Sequence, residues 1–289
     1  MTDQQRTIEL SVLATCPVRC AYCPQDVLRA ATRARHLTAS MTVDTLSAVL
    51  RNAADGDARG LRVSFAGFTE PFKHPHATEL VAVCDAFPGV QRIVIFTTGE
   101  GLTTTDIDRL ATFGKLARVT FHVDAFGGPQ RALADNLWPL LPAIVGKLKK
   151  TEFTMIWDTA TPSEVLEVER HLRPFGVVFG QRVPHSRSGN IARLTGTTRG
   201  TLPVTCPKMQ EAKAPVVLPD GSCVACANDY GLTLPIGNLR DQTWSELNFA
   251  DVVRQQSDPS SGAICFCDCN LARPLAHGQR GLSGTAPVK

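Results

Sequence analysis

Nine of the ten cysteines in this 289-residue chain fall into two groups, and their spacing is the first sign of chemistry. The first group is Cys16-Pro-Val-Arg-Cys20-Ala-Tyr-Cys23. Three thiolates on one loop can ligate three irons of a cubane and leave the fourth iron open to a substrate or cofactor. A structural zinc is the plainer alternative, but zinc is normally closed by four ligands and no C-x2-C partner pair stands nearby. The second group is Cys206, Cys223, Cys226, Cys265, Cys267 and Cys269, more thiols in one stretch than a structural role asks for. Cys84 stands alone in a helical stretch and reads as core. The chain opens without a secretory signal and has no run of about 18 apolar residues. The expectation is a cytoplasmic protein with no membrane partner, in which clustered cysteines are metal ligands rather than disulfides.

Something must position these groups. Apolar, β-branched runs at Ile8 to Ala14 and from Leu61, Arg92, Ala117, Phe153 and Gly176 predict six strands. Between them Thr42 to Ala54, Pro75 to Phe87, Thr104 to Phe113, Pro129 to Lys149 and Pro162 to Leu172 read as helices, the first capped by Thr and Asp. Strand and helix alternate at roughly thirty residues per unit, the pattern of a right-handed parallel βαβ series. Six units fall short of the eight of a closed barrel, so the fold class expected is α/β, an open partial (β/α)6 TIM-like barrel. Cys16 to Cys23 then follow directly on the first strand, at the C-terminal edge where barrel enzymes place their chemistry. The pattern changes after Asn190. Ala214 to Leu218 and Ser222 to Cys226 read as a hairpin turning at Asp220-Gly221, and Asp241 to Gln255 as one helix. The predicted units are residues 1–190 and a small α+β unit over 191–289 with an irregular tail. A net charge of +3 against thirty Lys and Arg is too slight to argue for a nucleic-acid partner.

C-x3-C-x2-C with an aromatic residue before its last cysteine, after the first strand of such a series, resembles the radical S-adenosylmethionine (SAM) superfamily. The resemblance extends along most of the chain. Gly67-Phe68-Thr69-Glu70-Pro71, after the second strand, resembles that family's GGEP-type loop with its second glycine replaced, and Thr97-Thr98-Gly99 resembles its T-N-G with Thr98 for Asn. In the family the open iron is chelated by S-adenosylmethionine, and one electron releases a 5′-deoxyadenosyl radical that abstracts hydrogen from substrate. The resemblance therefore implies that Cys16, Cys20 and Cys23 hold a 4Fe-4S cluster. It implies that Tyr22 frames the adenine, that Gly67, Phe68, Thr69, Glu70, Pro71 and Thr97 meet the cofactor, and that His122 and Asp124 contact it from the end of the fourth strand. Turn glycines are the plainer alternative for Gly67 and Gly99, and a hydrogen-bonded core residue for His122.

Cys206-x14-Gly221-x4-Cys226, followed by Ile236-Gly237-Asn238-Leu239 and a stretch around Trp244, resembles the SPASM and twitch auxiliary domains of the same superfamily. The later cysteines suffice for one auxiliary 4Fe-4S cluster, the twitch arrangement, held by Cys206, Cys226 and two of Cys265, Cys267 and Cys269; the spacing leaves open which two. Cys223 lies outside the motif as a spare thiol. Size and a single auxiliary cluster are similar to those of the twitch-bearing inosamine dehydrogenase of butirosin biosynthesis. That similarity implies dehydrogenation or epimerisation at a hydroxyl-bearing carbon of a sugar, cyclitol or related metabolite, with a flavodoxin or ferredoxin as reductant. It also implies Arg187 at the substrate, and Asn228 or Asp229, just past Cys226, could bind hydroxyls. Maturation of a ribosomally made peptide is the alternative. Against it, only seven residues precede the first predicted strand, so no further N-terminal peptide-binding domain is expected. A non-catalytic iron-sulfur or zinc protein is the third possibility, and the match at Gly67 to Pro71 argues against it. Arg29, Arg33, Arg35 and His36 would meet a substrate phosphate or form a solvated helix face.

Overall fold

The structure, a computed structural model, describes residues 5–18, 20, 23–56, 60–123, 136–156, 162–177, 179–182, 203–206, 214–261, 265, 269, 273 and 274. Tyr22, Asp124, Arg187 and Cys267 lie outside these residues.

Six parallel strands run side by side in chain order: β1 (Thr7–Leu10), β2 (Leu61–Phe65), β3 (Val90–Thr97), β4 (Leu116–His122), β5 (Thr151–Ile156) and β6 (Phe179–Arg182). Helices α1 (Gln25–Ala34), α2 (Val43–Ala54), α3 (Ala77–Ala86), α4 (Thr104–Thr112), α5 (Leu141–Lys147) and α6 (Pro162–Leu172) lie between them. Successive strand residues face opposite sides of a sheet, and the sequence uses both sides differently. Ile8, Leu10, Val63, Phe65, Ile93, Ile95, Val119, Phe121 and Phe153 face the helices in one apolar core with Leu46 and Leu50 of α2, Leu80 of α3 and Leu110 of α4. Register carries this row across the sheet, pairing Ile8 with Val63, Val63 with Ile93, Ile95 with Val119 and Phe121 with Phe153. The alternate positions turn Glu9, Ser64, Arg92, Arg118, His122 and Glu152 away from this core. There Arg118 Nη1 donates to Glu152 Oε1 at 3.1 Å, and Arg118 Cζ lies 5.8 Å from the centre of the Phe96 ring, which stacks on His122. Burial pushes the Arg62 guanidinium below its ordinary range, and the neighbouring charges of Arg92 and Arg118 push the same way.

Local chemistry sets the helix starts. Thr42 Oγ1 accepts from Thr45 N at 3.1 Å, and Thr103 and Asp106 make a reciprocal capping box before α4. Helix α1 is an addition to the sequence expectation. The Asp241 to Gln255 stretch is not one helix: a 3-10 turn at Trp244–Glu246 ends before Asn248, whose side chain caps a new helix, α7 (Phe249–Ser257). The described part of the predicted helix ending at Lys149 is a 3-10 turn at Trp138–Leu140 leading into α5.

The C-terminal part forms the predicted hairpin, β8 (Val216–Val217) and β9 (Ser222–Val224), extended by β10 (Pro235–Asn238), while a short pair joins β7 (Val204–Thr205) to β11 (Arg273–Pro274). This hairpin does not form a separate sheet. β8 pairs in parallel with β1, Glu9 opposite Val216 and Leu10 opposite Val217, so one nine-stranded sheet runs β10-β9-β8-β1-β2-β3-β4-β5-β6. Among the described residues no helix is long and apolar enough to cross a membrane.

Candidate active site

Three loops converge at the C-terminal ends of β1, β2 and β3. The first carries Cys16, Cys20 and Cys23, with Cys23 N donating to Cys20 O at 3.0 Å. The second is Gly67 to Pro71. Gly67 has φ +71, and a Cβ there would lie 3.0 Å from Val216 Cγ1 and 3.1 Å from Ser11 Cβ, so only glycine lets β1 and β8 approach this turn. Thr69 Oγ1 and Ser11 Oγ are 3.3 Å apart. The third loop is Thr97-Thr98-Gly99.

Glu70 ties the three together. Its backbone N–H donates to Cys16 Sγ at 3.3 Å. Its carboxylate, 4% exposed, accepts from Thr97 Oγ1 at 2.5 Å, Thr98 N at 2.7 Å, Thr98 Oγ1 at 2.9 Å and Phe72 N at 3.2 Å. Burial pushes this carboxyl up, and the donors from Thr97, Thr98 and Phe72 pull it back. Thr97 Oγ1 in turn accepts from Gly99 N at 2.8 Å. The threonine standing in the asparagine position of the T-N-G pattern is thus bonded to the glutamate of the preceding loop. His122 ends β4, facing away from the helix-side core, with Nδ1 3.2 Å from Thr154 Oγ1.

Gln25, in the first turn of α1, was not singled out from the sequence. Its Oε1 accepts from Cys16 N at 3.2 Å and its Nε2 donates to Phe68 O at 2.9 Å, so one side chain spans the cysteine loop and the Gly67 loop. Its position two residues after the last cysteine was the only sequence cue. Arg29 Nη2 donates to Cys16 O, and Arg35 donates to Leu232 O. These two arginines brace backbone, while Arg33, Arg35 and His36 are exposed on and just after α1, as the solvated helix face considered for them requires.

Burial pushes the Cys16 thiol up to about 12, with Glu70 N–H pulling it down and nearby Cys23 adding to the rise. A bound cation inverts that balance, since a coordinating thiol is deprotonated outright. Among the described residues no three His, Cys, Asp or Glu side chains are arranged to hold a single metal ion. A cubane asks something else, one thiolate for each of three irons, and three thiols on one loop beside backbone N–H donors suit it.

The C-terminal cysteines also gather. Burial pushes Cys265 up to about 12, and Cys269, Cys206 and Asp229 are near enough to push it further. Cys226 O accepts from Asp229 N at 3.1 Å and its Sγ from Asn228 N at 3.4 Å, which brings Cys226 to the same neighbourhood. Cys223 is apart from them: 1% exposed, in the main core, its Sγ donating to Gly221 O, its pKa raised by burial to about 12. Cys84 sits in the same core, and burial raises it too.

Asn228 and Asp229 are both buried, and Asp229 has structural work. Its carboxylate accepts from Thr233 N at 2.8 Å, Thr233 Oγ1 at 2.9 Å and Leu234 N at 2.7 Å, closing the turn in which Leu232 adopts φ +54. These bonds hold the turn just past Cys226. Tyr230, the next residue, is 2% exposed and was also not singled out; it is one of two tyrosines in the chain, which was the available signal.

No protein-family model matches the sequence, and no curated protein matches it significantly. Solved structures do match. BtrN, in complex with AdoMet and 2-DOIA, is 16% identical over 96% of each chain with a TM-score of 0.58. anSMEcpe, with bound AdoMet and the Cp18Cys peptide, is 12% identical over 88% of this chain and 84% of its own, with a TM-score of 0.60. SuiB of Streptococcus suis, bound to S-adenosylmethionine, is 10% identical over 86% and 68%, with a TM-score of 0.61. The chain shares the fold of these three AdoMet- or S-adenosylmethionine-bound proteins.

Proposed function

We propose that this chain is a radical SAM enzyme with two 4Fe-4S clusters, acting on a hydroxyl-bearing carbon of a sugar, cyclitol or related small metabolite by dehydrogenation or epimerisation. Residues 1–190 would form the radical SAM unit and 191–289 the auxiliary-cluster unit, with a flavodoxin or ferredoxin as reductant. The observation that carries this reading is the knot at the sheet's C-terminal edge, where Glu70 joins the Cys16 loop to the ends of β2 and β3. Similarity of fold to three proteins solved with AdoMet or S-adenosylmethionine supports it. BtrN, matched end to end and solved with a small molecule, supports the small-metabolite choice. The peptide held by anSMEcpe keeps peptide maturation as the second reading.

Cys16, Cys20 and Cys23 would hold the first cluster, and Cys206, Cys226 and two of Cys265, Cys267 and Cys269 the auxiliary one. When bound, these groups supply one electron to cleave S-adenosylmethionine, a 5′-deoxyadenosyl radical to take hydrogen from substrate, and an acceptor for the substrate's second electron. The chain's own part is position. Glu70, Thr97 and Thr98 fix the loop expected to meet the methionine end, Gln25 fixes that loop against Cys16, and His122 offers a polar edge on the sheet face away from the helix-side core. Epimerisation needs a hydrogen donor on the opposite face, usually a thiol; Cys223 is 1% exposed, which leaves whichever of Cys265, Cys267 and Cys269 does not ligate to keep that route open, and dehydrogenation is the outcome preferred.

Anaerobic reconstitution should load about eight irons, four for each cubane. Alanine at Cys16, Cys20 and Cys23 together should halve the iron and abolish S-adenosylmethionine cleavage. Zinc as the main metal, or cleavage surviving the triple change, overturns the assignment. With the substrate in deuterium oxide, a product lighter by a pair of hydrogens marks dehydrogenation; one new carbon-bound deuterium at unchanged composition marks epimerisation.

A further inference from the structure

We propose that Tyr230, contributed by the C-terminal part, donates a hydrogen bond to the Cys23 sulfur and thereby raises the reduction potential of the cluster that the first cysteine loop holds. The inference rests on the cluster assignment above and adds a positioning residue that the cysteine motif does not contain.

Tyr230 Oη lies 3.6 Å from Cys23 Sγ. In a metal-free chain either atom could donate. A cysteine that ligates iron has lost its proton, so the phenol is then the donor. The ring has little freedom to do otherwise. It stands in a small apolar core with Leu28, Val216, Leu218 and Leu232, and Phe68 meets it edge-on with centroids 4.9 Å apart at 61°. The backbone beneath it is held by Asp229 on Thr233 and Leu234 and by Arg35 on Leu232 O. A buried tyrosine hydroxyl takes polar partners, and the Cys23 sulfur is within reach of it.

The contact also closes a circuit. Cys16 N–H reaches Gln25, Gln25 reaches Phe68 O, the Phe68 ring meets Tyr230, and Tyr230 returns to Cys23. Two of the three loop cysteines are therefore tied to the Gly67 loop from opposite sides, one of them through the C-terminal part. Hydrogen bonds to cluster sulfurs are among the factors that set iron-sulfur potentials. Adding an electron puts more negative charge on the sulfurs, so a donor stabilises the reduced form and moves the potential upward.

The test is a dithionite titration of reconstituted full-length protein followed by electron paramagnetic resonance, reading the signal that changes on addition of S-adenosylmethionine. Tyr230→Phe, which keeps the ring, should retain the iron content and that change while the midpoint shifts to more negative potential. A fluorinated tyrosine introduced at position 230, a stronger donor of the same shape, should shift it the other way. Unmoved midpoints with the cluster intact overturn the proposal. If the phenylalanine variant fails to load iron, the fluorotyrosine protein still carries the measurement, and an unshifted midpoint there overturns it equally. Failure of the parent protein to assemble the cluster or respond to S-adenosylmethionine refutes the functional assignment instead, so the two failures are distinct.

Discussion

Replacing Glu70 tests the knot that holds the candidate site together. Its carboxylate accepts from the backbone N–H groups of Phe72 and Thr98 and from the hydroxyls of Thr97 and Thr98. The hydroxyls can rotate toward other acceptors, but the two N–H groups cannot. Leaving a buried donor unsatisfied costs about 1–3 kcal/mol, so Glu70→Ala, which strips both, should destabilise the metal-free chain by about 2–6 kcal/mol. Glu70→Gln keeps one acceptor oxygen and the shape, but turns an NH2 toward one of the two N–H groups, for about 1–3 kcal/mol. At about 2 °C per kcal/mol for a chain of this length, Glu70→Ala should lower Tm by about 4–12 °C, with Glu70→Gln between it and the parent. Anaerobic thermal unfolding followed by circular dichroism measures this, and S-adenosylmethionine affinity of the reconstituted variants should weaken in the same order. A Glu70→Ala protein within about 1 kcal/mol of the parent would refute the view that one carboxylate fastens these loops.

Gly67→Ala should cost about 1–3 kcal/mol, because alanine at φ +71 is strained and its Cβ would press on Val216 and Ser11; unchanged thermal stability would show that the turn rearranges freely. His74 should make stability depend on pH. Burial pushes its imidazole down, Nε2 meets Met41 O at 3.0 Å and Nδ1 accepts from His76 N at 3.1 Å. The unfolded chain then takes up a proton near the ordinary value of about 6.5 that the folded chain still refuses, so stability falls as pH drops through that value toward the lowered one. Denaturant midpoints compared between pH 7.5 and 5.5 should show a shallower loss in His74→Gln than in the parent; equal losses would place the titration elsewhere.

The parallel strands were legible because each carries a short apolar, β-branched run, as in Ile93-Val94-Ile95-Phe96 of β3, and α6 matches Pro162 to Leu172 because proline opens a clear helical period. Asp220-Gly221 announced its hairpin in the same local way. Helix α1, raised only as a solvated face at Arg29 to His36, was not delimited because Val27 and Leu28 are the only large apolar residues in Gln25–Ala34, and of its side chains Gln25, Leu28 and Thr32 are the buried ones. β10 contains Pro235 and Gly237, which read locally as a turn; only pairing with β9 makes it a strand. At the site, cysteine types and spacing could be read directly. The partners of Glu70, Gln25 and Tyr230 could not, because each bond joins residues far apart in sequence and local pattern says nothing about which loop ends meet. Asp229 shows the converse: a polar residue beside a cysteine motif suggested ligand contact, and the folded chain uses it on backbone N–H groups.

The parallel pairing of β8 with β1 bears on how the chain is made. β1 is synthesised early, yet one of its two neighbours is Val216-Val217, about two hundred residues later, and contacts so distant in sequence form slowly. While the ribosome is still translating the middle of the chain, β1 presents the unpaired N–H and C=O groups of an edge strand, a template for pairing with other chains. The same strand leads into Cys16, Cys20 and Cys23. Until β8 docks, that loop also lacks Tyr230 and the packing of Val216 against Gly67. Metal delivered during synthesis would therefore meet a half-built pocket, and slowing translation before residue 216 should favour aggregation over maturation.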